Sequence, residues 1–449
     1  MTRNALTSRY LDELARRGVP ADEPLDTALR HADLEATLYR GRCLRRPAFL
    51  EHAEWTRVTR DLTLMHDALI SLPDRLFGGD LAAFARACGM TDGQVAGVER
   101  GRGKTPGRLA RADLFHDGDE FRLMELNVGS ALGGLDNSIL NQGLLHHPVV
   151  AEFVAAHHLS YVDSLRAAVD TLYAETGIPR DERPLVAVVD TPESFPVLEQ
   201  ALRTASAVMS ALGPEMVPCH LGDLRMRDDR LWLDDRPIDV VYRVFLMEDL
   251  LDPALMALID PVLHVVERGN VALYVPMDTE LYGNKAALAM LSDEANRARF
   301  DAAEMESLDR LLPWTRMVRD MPVTVGGERV NLLEYARDQR EHLVLKPTLM
   351  HGAIGVVLGW LTEDAEWRAA LDNAIDQPFV VQRRIVGVPE DYPAPGGLEP
   401  VLLKWGVFVG AHGYAGALVS GSTDLSGGAL NVLSGTTLGC CFHELPPVR

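Results

Sequence analysis

The sequence predicts an α/β protein: a doubly wound α/β subdomain inserted between a helical N-terminal part and a strand-rich C-terminal part. Three observations predict it. Residues 185–190 (LVAVVD), 238–245 (IDVVYRVF) and 271–275 (VALYV) are short apolar runs separated by helical stretches, as in strands buried within a parallel sheet. Ahead of them, residues 1–108 repeat apolar side chains at three- and four-residue spacing, with Arg, Asp and Glu between. Behind them, LLKWGVFVGAHGYAGALVSGS reads as strands.

Taken in order, residues 26–42, 48–71 and 81–100 are expected to be helices, with Asp80 capping the third. The basic loop GRGKTPG (101–107) reads as a linker. Residues 110–116 and 120–128 form a hairpin turning at Asp117-Gly118-Asp119. Residues 137–172 are helical. After the α/β segment, a helix starts near Asn284-Lys285, and residues 342–345 form a strand ending in Lys346-Pro347. The loop TLMHGAIG leads to a strand at 356–360, a helix at 364–375 and a strand at 379–385. The expected domains are 1–108, 109–180, 181–280 and 281–449, the length being too great for one core.

The net charge of −21 argues against nucleic acid or an anionic membrane as the main partner. No apolar run approaches the ~18 residues that a membrane helix needs. The N-terminus lacks the apolar core of a signal peptide, and the five cysteines form no CxxC pair. A cytoplasmic location fits these features. Whether the chain forms a homodimer is left open.

The chemistry centres on FRLMELNVGSALGGLDNSILN (121–141). Strand alternation puts Glu125 and Asn127 on one face, and oxygen donors so placed suit Mg²⁺ together with substrate phosphates. The glycines that follow allow backbone N–H groups to approach an anion. Arg111 and Asp113 lie on the neighbouring strand. Arg243 interrupts an apolar strand, where an unpaired charge is costly. Lys285 sits at a helix start, where a cation opposes the helix dipole unless an anion lies between. Lys346 precedes a loop carrying Gly352 and Gly355.

Together these segments resemble the ATP-grasp family, specifically its circularly permuted branch, the eukaryotic-type glutathione synthetases. ELNVGSALGGL resembles that family's metal and phosphate strand, which implies Mg²⁺ on Glu125 and Asn127 and a ligand contact for Ser130. LARADLF resembles its R-S-D-Y strand and implies that Arg111 meets a carboxylate substrate. VVYRVF resembles its V-V-Y-F-R segment, implying the same for Arg243. LYGNKAAL and LVLKP resemble its two lysine segments, so Lys285 and Lys346 would grip the ATP phosphates under a lid containing Gly352. FVVQRRI resembles its adenine hinge, implying main-chain contacts near Val381 and Gln382. An unpermuted chain would instead take its metal ligands from Asp424 and Asn431.

Two departures bear on substrate. The family's lid glutamate is missing from TLMHGAIG, which offers only Met350 and His351, leaving Asp424 or water as a further metal ligand. The C-terminal basic residues that grip a peptide are absent from SGSTDLSGGALNVLSG. The resemblance therefore implies an ATP- and Mg²⁺-dependent carboxylate–amine ligase acting on small-molecule or peptide carboxylate and amine substrates other than those of glutathione synthesis. A ligase joining an amino acid to a polyamine, and a silent ATP-binding regulator or scaffold, are the alternatives.

Overall fold

A computed structural model describes residues 4–34, 42–129, 132–350, 352–428 and 436–446. Ser130, His351 and Asn431 lie outside the described residues. The largest sheet draws its strands from distant parts of the chain. Its order is Ala48–Leu50, Thr437–Glu444, Gly413–Ser422, Gly397–Gly410, Ala110–His116 and Phe121–Val128, with two short strands on its flanks. All pairs along this order are antiparallel except the first. The expected boundaries at 108/109 and 280/281 therefore do not separate independent cores. One apolar cluster joins Leu62 and Leu69 of the helix His52–Ile70 to Leu123 of the hairpin and Trp405 and Val419 of the C-terminal strands.

Three N-terminal elements differ from expectation. The helix expected over 26–42 is Glu23–His31, and residues 32–34 beyond it are not helical. Residues 48–50 are a strand rather than a helix start, because their three buried side chains pair with Cys441–His443. The helix expected over 81–100 is two helices, Leu81–Ala87 and Asp92–Arg100. Gly89 breaks it with φ of +88°, and Thr91 with Gln94 restarts it through reciprocal side-chain caps. Asp80 does cap the first of them, accepting from the Ala83 amide at 2.8 Å.

The second sheet is parallel, in the order Ala272–Tyr274, Val240–Arg243, Leu185–Asp190, Glu215–His220. Chain order reverses between the strands Leu185–Asp190 and Val240–Arg243. In a doubly wound sheet that reversal opens a crevice at the carboxyl ends of those two strands. The third sheet is antiparallel: Thr315–Met317, Phe379–Arg383, Leu343–Pro347 and Val357–Leu358, backed by a core containing Trp367, Leu371 and Leu333. The strand expected over 356–360 is cut to Val357–Leu358 because Gly359–Leu361 turns into a 3₁₀ helix.

The cysteines are unpaired, and Cys440 and Cys441 are buried within the strand Thr437–Glu444. No helix among the described residues is long and apolar enough to cross a membrane.

Candidate functional site

The hairpin sets out one face of the site. Register pairs Asp113 with Glu125 and Arg111 with Asn127, so four polar side chains share the strand face that Lys404 joins from the next strand. Arg111 lies flat on that face because residue 406, opposite Asp113, is glycine. A Cβ there would stand 3.0 Å from the Arg111 Cδ.

Asp113 is the anchor of the face. It accepts from Arg111 Nε at 2.7 Å and from Lys404 Nζ at 2.8 Å. Burial opposes its charge, but the two cations outweigh burial and hold the carboxyl below its usual range. The Arg111 guanidinium is otherwise engaged by the Gly133 carbonyl oxygen at 2.7 Å. Its fork is thus occupied, and a substrate carboxylate would have to displace Asp113 or share it.

Two lysines reach this face from elsewhere. Lys346, at the end of the strand Leu343–Pro347, donates to the Met124 carbonyl oxygen at 3.0 Å and to Gln382 Oε1 at 2.7 Å. Lys285 opens the helix Lys285–Ser292, whose first turn is capped by the Asn284 side chain. Its Nζ stands 3.4 Å from Glu125 Oε2 and donates to the Met350 carbonyl oxygen at 3.2 Å. Its main-chain N–H donates to the Thr348 carbonyl oxygen at 2.9 Å, so Lys285 ties down the start of the glycine loop as well.

Electrostatics show the same convergence. Burial works against the Glu125 charge, and Lys285 followed by Lys346 and Lys404 more than offsets it, leaving the carboxyl below its usual range. Burial lowers Lys346 to about 8, with Lys285 adding repulsion and Glu125 opposing. Glu125 nevertheless keeps 31% of its side chain accessible, while the lysines keep 7% each. A carboxylate open on one side and backed by cations can take a cation only if an anion comes with it.

Four expectations need correction or restriction. Arg243 is fully buried. Its donors go to Glu280 Oε1 at 2.8 Å, Thr279 Oγ1, and the carbonyl oxygens of Val275, Phe245 and Pro276. Those partners tie the α/β sheet to the segment before Lys285. Val381 lies mid-strand between the Thr315 and Lys346 strands, so its main-chain groups belong to the ladder rather than to a purine. Gln382 acts through its side chain, holding Lys346 and donating to Thr315 Oγ1 at 3.1 Å. Asp424 is exposed and spent on a local turn, accepting from the Ser426 amide at 2.9 Å.

Asn127 stands beside Glu125 with an amide nitrogen, Nδ2, that is buried without a partner. The unmatched Nδ2 is a donor and calls for an acceptor oxygen, whereas a cation would take the amide oxygen of the same side chain. Gly352 has φ of +65°, a conformation that glycine adopts without strain, and lies in the exposed part of the loop. Two further groups, Asp113 and Lys404, matter more than their sequence context suggested. Lys404 had a legible signal: it is the one charge in the apolar run VLLKWGVFV.

A cavity of about 360 Å³ adjoins this cluster. Gly133, whose carbonyl holds Arg111, is part of its wall, as are Asp190, Thr191, Tyr242 and Val244 at the chain-order reversal of the parallel sheet.

Among solved structures, the chain is similar to a glutathione synthetase-like effector from Globodera pallida in its apo form, with a TM-score of 0.58 over 93% of this chain and 96% of that one. This chain has a glutathione synthetase-like fold. Sequence identity is 12%, so the likeness extends to the fold and not to chemistry. No family model and no curated protein matches the sequence.

Proposed function

We propose that the protein is a permuted ATP-grasp ligase that joins a carboxylate to an amine at the expense of ATP. The observation that carries this reading is the meeting of Lys285, Lys346 and Glu125, from three separate segments, around one open carboxylate. Two buried ammonium groups beside a lone accessible carboxylate lack an anion, and a triphosphate supplies it.

In this reading Lys285 and Lys346 bind the phosphates, and Glu125 with Asn127 holds Mg²⁺. The donor set fits that ion, since both residues offer oxygen. Bound Mg²⁺ would neutralise phosphate charge and align the γ-phosphate. The substrate carboxylate is oriented near Arg111. Its oxygen attacks the γ-phosphorus, the bond to the β-phosphate oxygen breaks, and ADP leaves. The amine nitrogen, as the free base, then attacks the acyl carbon, the bond to the phosphate oxygen breaks, and the proton the nitrogen gives up leaves with the phosphate, giving an amide. Positioning and charge neutralisation suffice for both steps, so no protein nucleophile is required. The loop held by Lys285 excludes the water that would hydrolyse the acylphosphate.

The test is release of ADP and phosphate from ATP and Mg²⁺ with pools of carboxylates and amines. A ligase releases them only when the right pair is present, and Lys346→Met abolishes the release. One observation favours a second reading as a silent nucleotide-binding protein. Among the described residues no three His, Cys, Asp or Glu side chains group to hold a metal. Tight ATP binding without ADP release from any pool would establish that reading instead.

A further inference from the structure

The cavity beside Gly133 has a composition that says what enters it. Its walls are mostly apolar, with Leu132, Leu135, Leu198, Leu202 and Met209 among them. Among the described residues of its lining, every ionisable carboxyl or amino group is an acid: Asp136, Asp190 and Asp249, with no Lys, Arg or His. Arg243, on the strand that supplies Tyr242 and Val244, turns to the opposite face and is neutralised there by Glu280.

Asp190 is the decisive group. It ends the strand Leu185–Asp190 at the topological switch point, where open α/β sheets take their ligands. The residue is 3% exposed. Oδ1 accepts from the Thr191 amide at 2.8 Å, whereas Oδ2 is buried with no hydrogen-bond partner. Burial raises the Asp190 carboxyl above its usual range, with the Thr191 amide and the nearby Ser194 hydroxyl opposing, and no hydrogen bond meets the geometry for Oδ2. Asp249, whose carboxylate takes the Leu246 amide, adds negative charge from the other wall. A buried carboxylate oxygen left unmatched in an apolar cavity, with a second carboxylate nearby, wants a cation.

We propose that this cavity binds an apolar amine: a single ammonium head, seated on Asp190, carried by an uncharged hydrocarbon body. This rests on the ligase reading for its place in a reaction, since it names the chemistry of one of the joined substrates. An anionic peptide is disfavoured because it would bring its carboxylates against three of the protein's own. A polyamine is disfavoured because its inner charges would lie along leucine and methionine walls.

The experiment is calorimetric titration of the intact chain, without nucleotide, using hexylamine, hexanol, hexanoate and spermidine. Hexylamine is expected to bind saturably, at least tenfold tighter than hexanol or spermidine, and hexanoate not at all. Asp190→Asn is expected to lower hexylamine affinity tenfold or more while leaving hexanol and MgATP binding unchanged. Ala205→Phe fills the cavity while keeping the carboxylate, and is expected to abolish both hexylamine and hexanol binding; it also serves if the Asn variant does not fold. Hexanoate or spermidine binding as tightly as hexylamine, or hexylamine binding that either variant leaves intact, overturns the proposal. Because no ATP is present, failure here leaves the ligase reading standing. Conversely, hexylamine binding with no ADP release from any pool sinks the ligase reading and keeps the pocket.

Discussion

Lys346 Nζ lies 3.0 Å from the Met124 carbonyl oxygen, across 222 residues of chain. That bond closes the strand of one sheet against the edge of another and puts a buried ammonium one residue from Glu125. Its energetics are unfavourable in isolation, because burial depresses the lysine to about 8 from an ordinary value of 10.5. A group held at such cost fits a ligand that repays it.

Lys346→Met is expected to abolish nucleotide binding while leaving stability within about 1 kcal/mol of wild type. Relief from burying a charge and loss of two hydrogen bonds oppose each other at similar size. Calorimetry with MgATP and denaturant unfolding measure the two quantities. A large loss of stability would make the lysine structural.

For wild type, MgATP affinity is expected to fall as pH rises through about 8, where Lys346 loses its proton. The sign follows from linkage: the triphosphate prefers the protonated lysine, so deprotonating the free protein weakens binding. Binding titrations between pH 6.5 and 9.5 check this, and a flat profile would remove Lys346 from the phosphate site.

Mg²⁺ alone is expected not to bind. Glu125 and Asp113 are two charges against Lys285, Lys346, Lys404 and Arg111, so the unliganded cluster is cationic. Titration with Mg²⁺ should give no heat until nucleotide is added. Glu125→Gln should then weaken the metal-dependent part of nucleotide binding about tenfold or more.

Glu175 is expected to make the fold less stable at alkaline pH. Burial raises its carboxyl from 4.5 to about 7, although the amides of Arg108 and Leu109 bond to it. A raised acid pKa means that the folded state holds the proton more tightly. Its stabilising contribution is therefore complete below pH 4.5 and is lost as pH rises through about 7, with a total of about 3 kcal/mol. Glu175→Gln should flatten that decline in urea-midpoint measurements at pH 5 and pH 8.

Arg243→Met should cost about 3–5 kcal/mol, because it removes the guanidinium that balances the Glu280 carboxylate, which is 3% exposed. The double change with Glu280→Gln should recover part of that loss. A variant that folds normally yet loses substrate affinity would return Arg243 to the binding site.

Much of the site was legible in short segments, for local physical reasons. Glu125 and Asn127 share a face because a strand has period two, and the Asp117-Gly118-Asp119 turn sets the hairpin that puts Arg111 and Asp113 opposite them. Lys285 was visible as a cation at a helix start. Arg243 was ambiguous because a charge in an apolar strand signals a buried partner as readily as a ligand. Only the fold shows Glu280 arriving from 37 residues away.

By itself the sequence determined the periodicities, and through them the parallel α/β segment, the polar face of the Glu125 hairpin and the chemical types of the cationic positions. Tertiary structure alone decided which of those charges meet. Lys346 reaches the hairpin from 222 residues away and Lys404 reaches Asp113 from 291. The same holds for the cavity, whose walls come from a glycine turn, three strands and two helices. The reason is that side-chain direction follows from local backbone geometry, whereas long-range pairing is set by how apolar faces from distant segments bury one another.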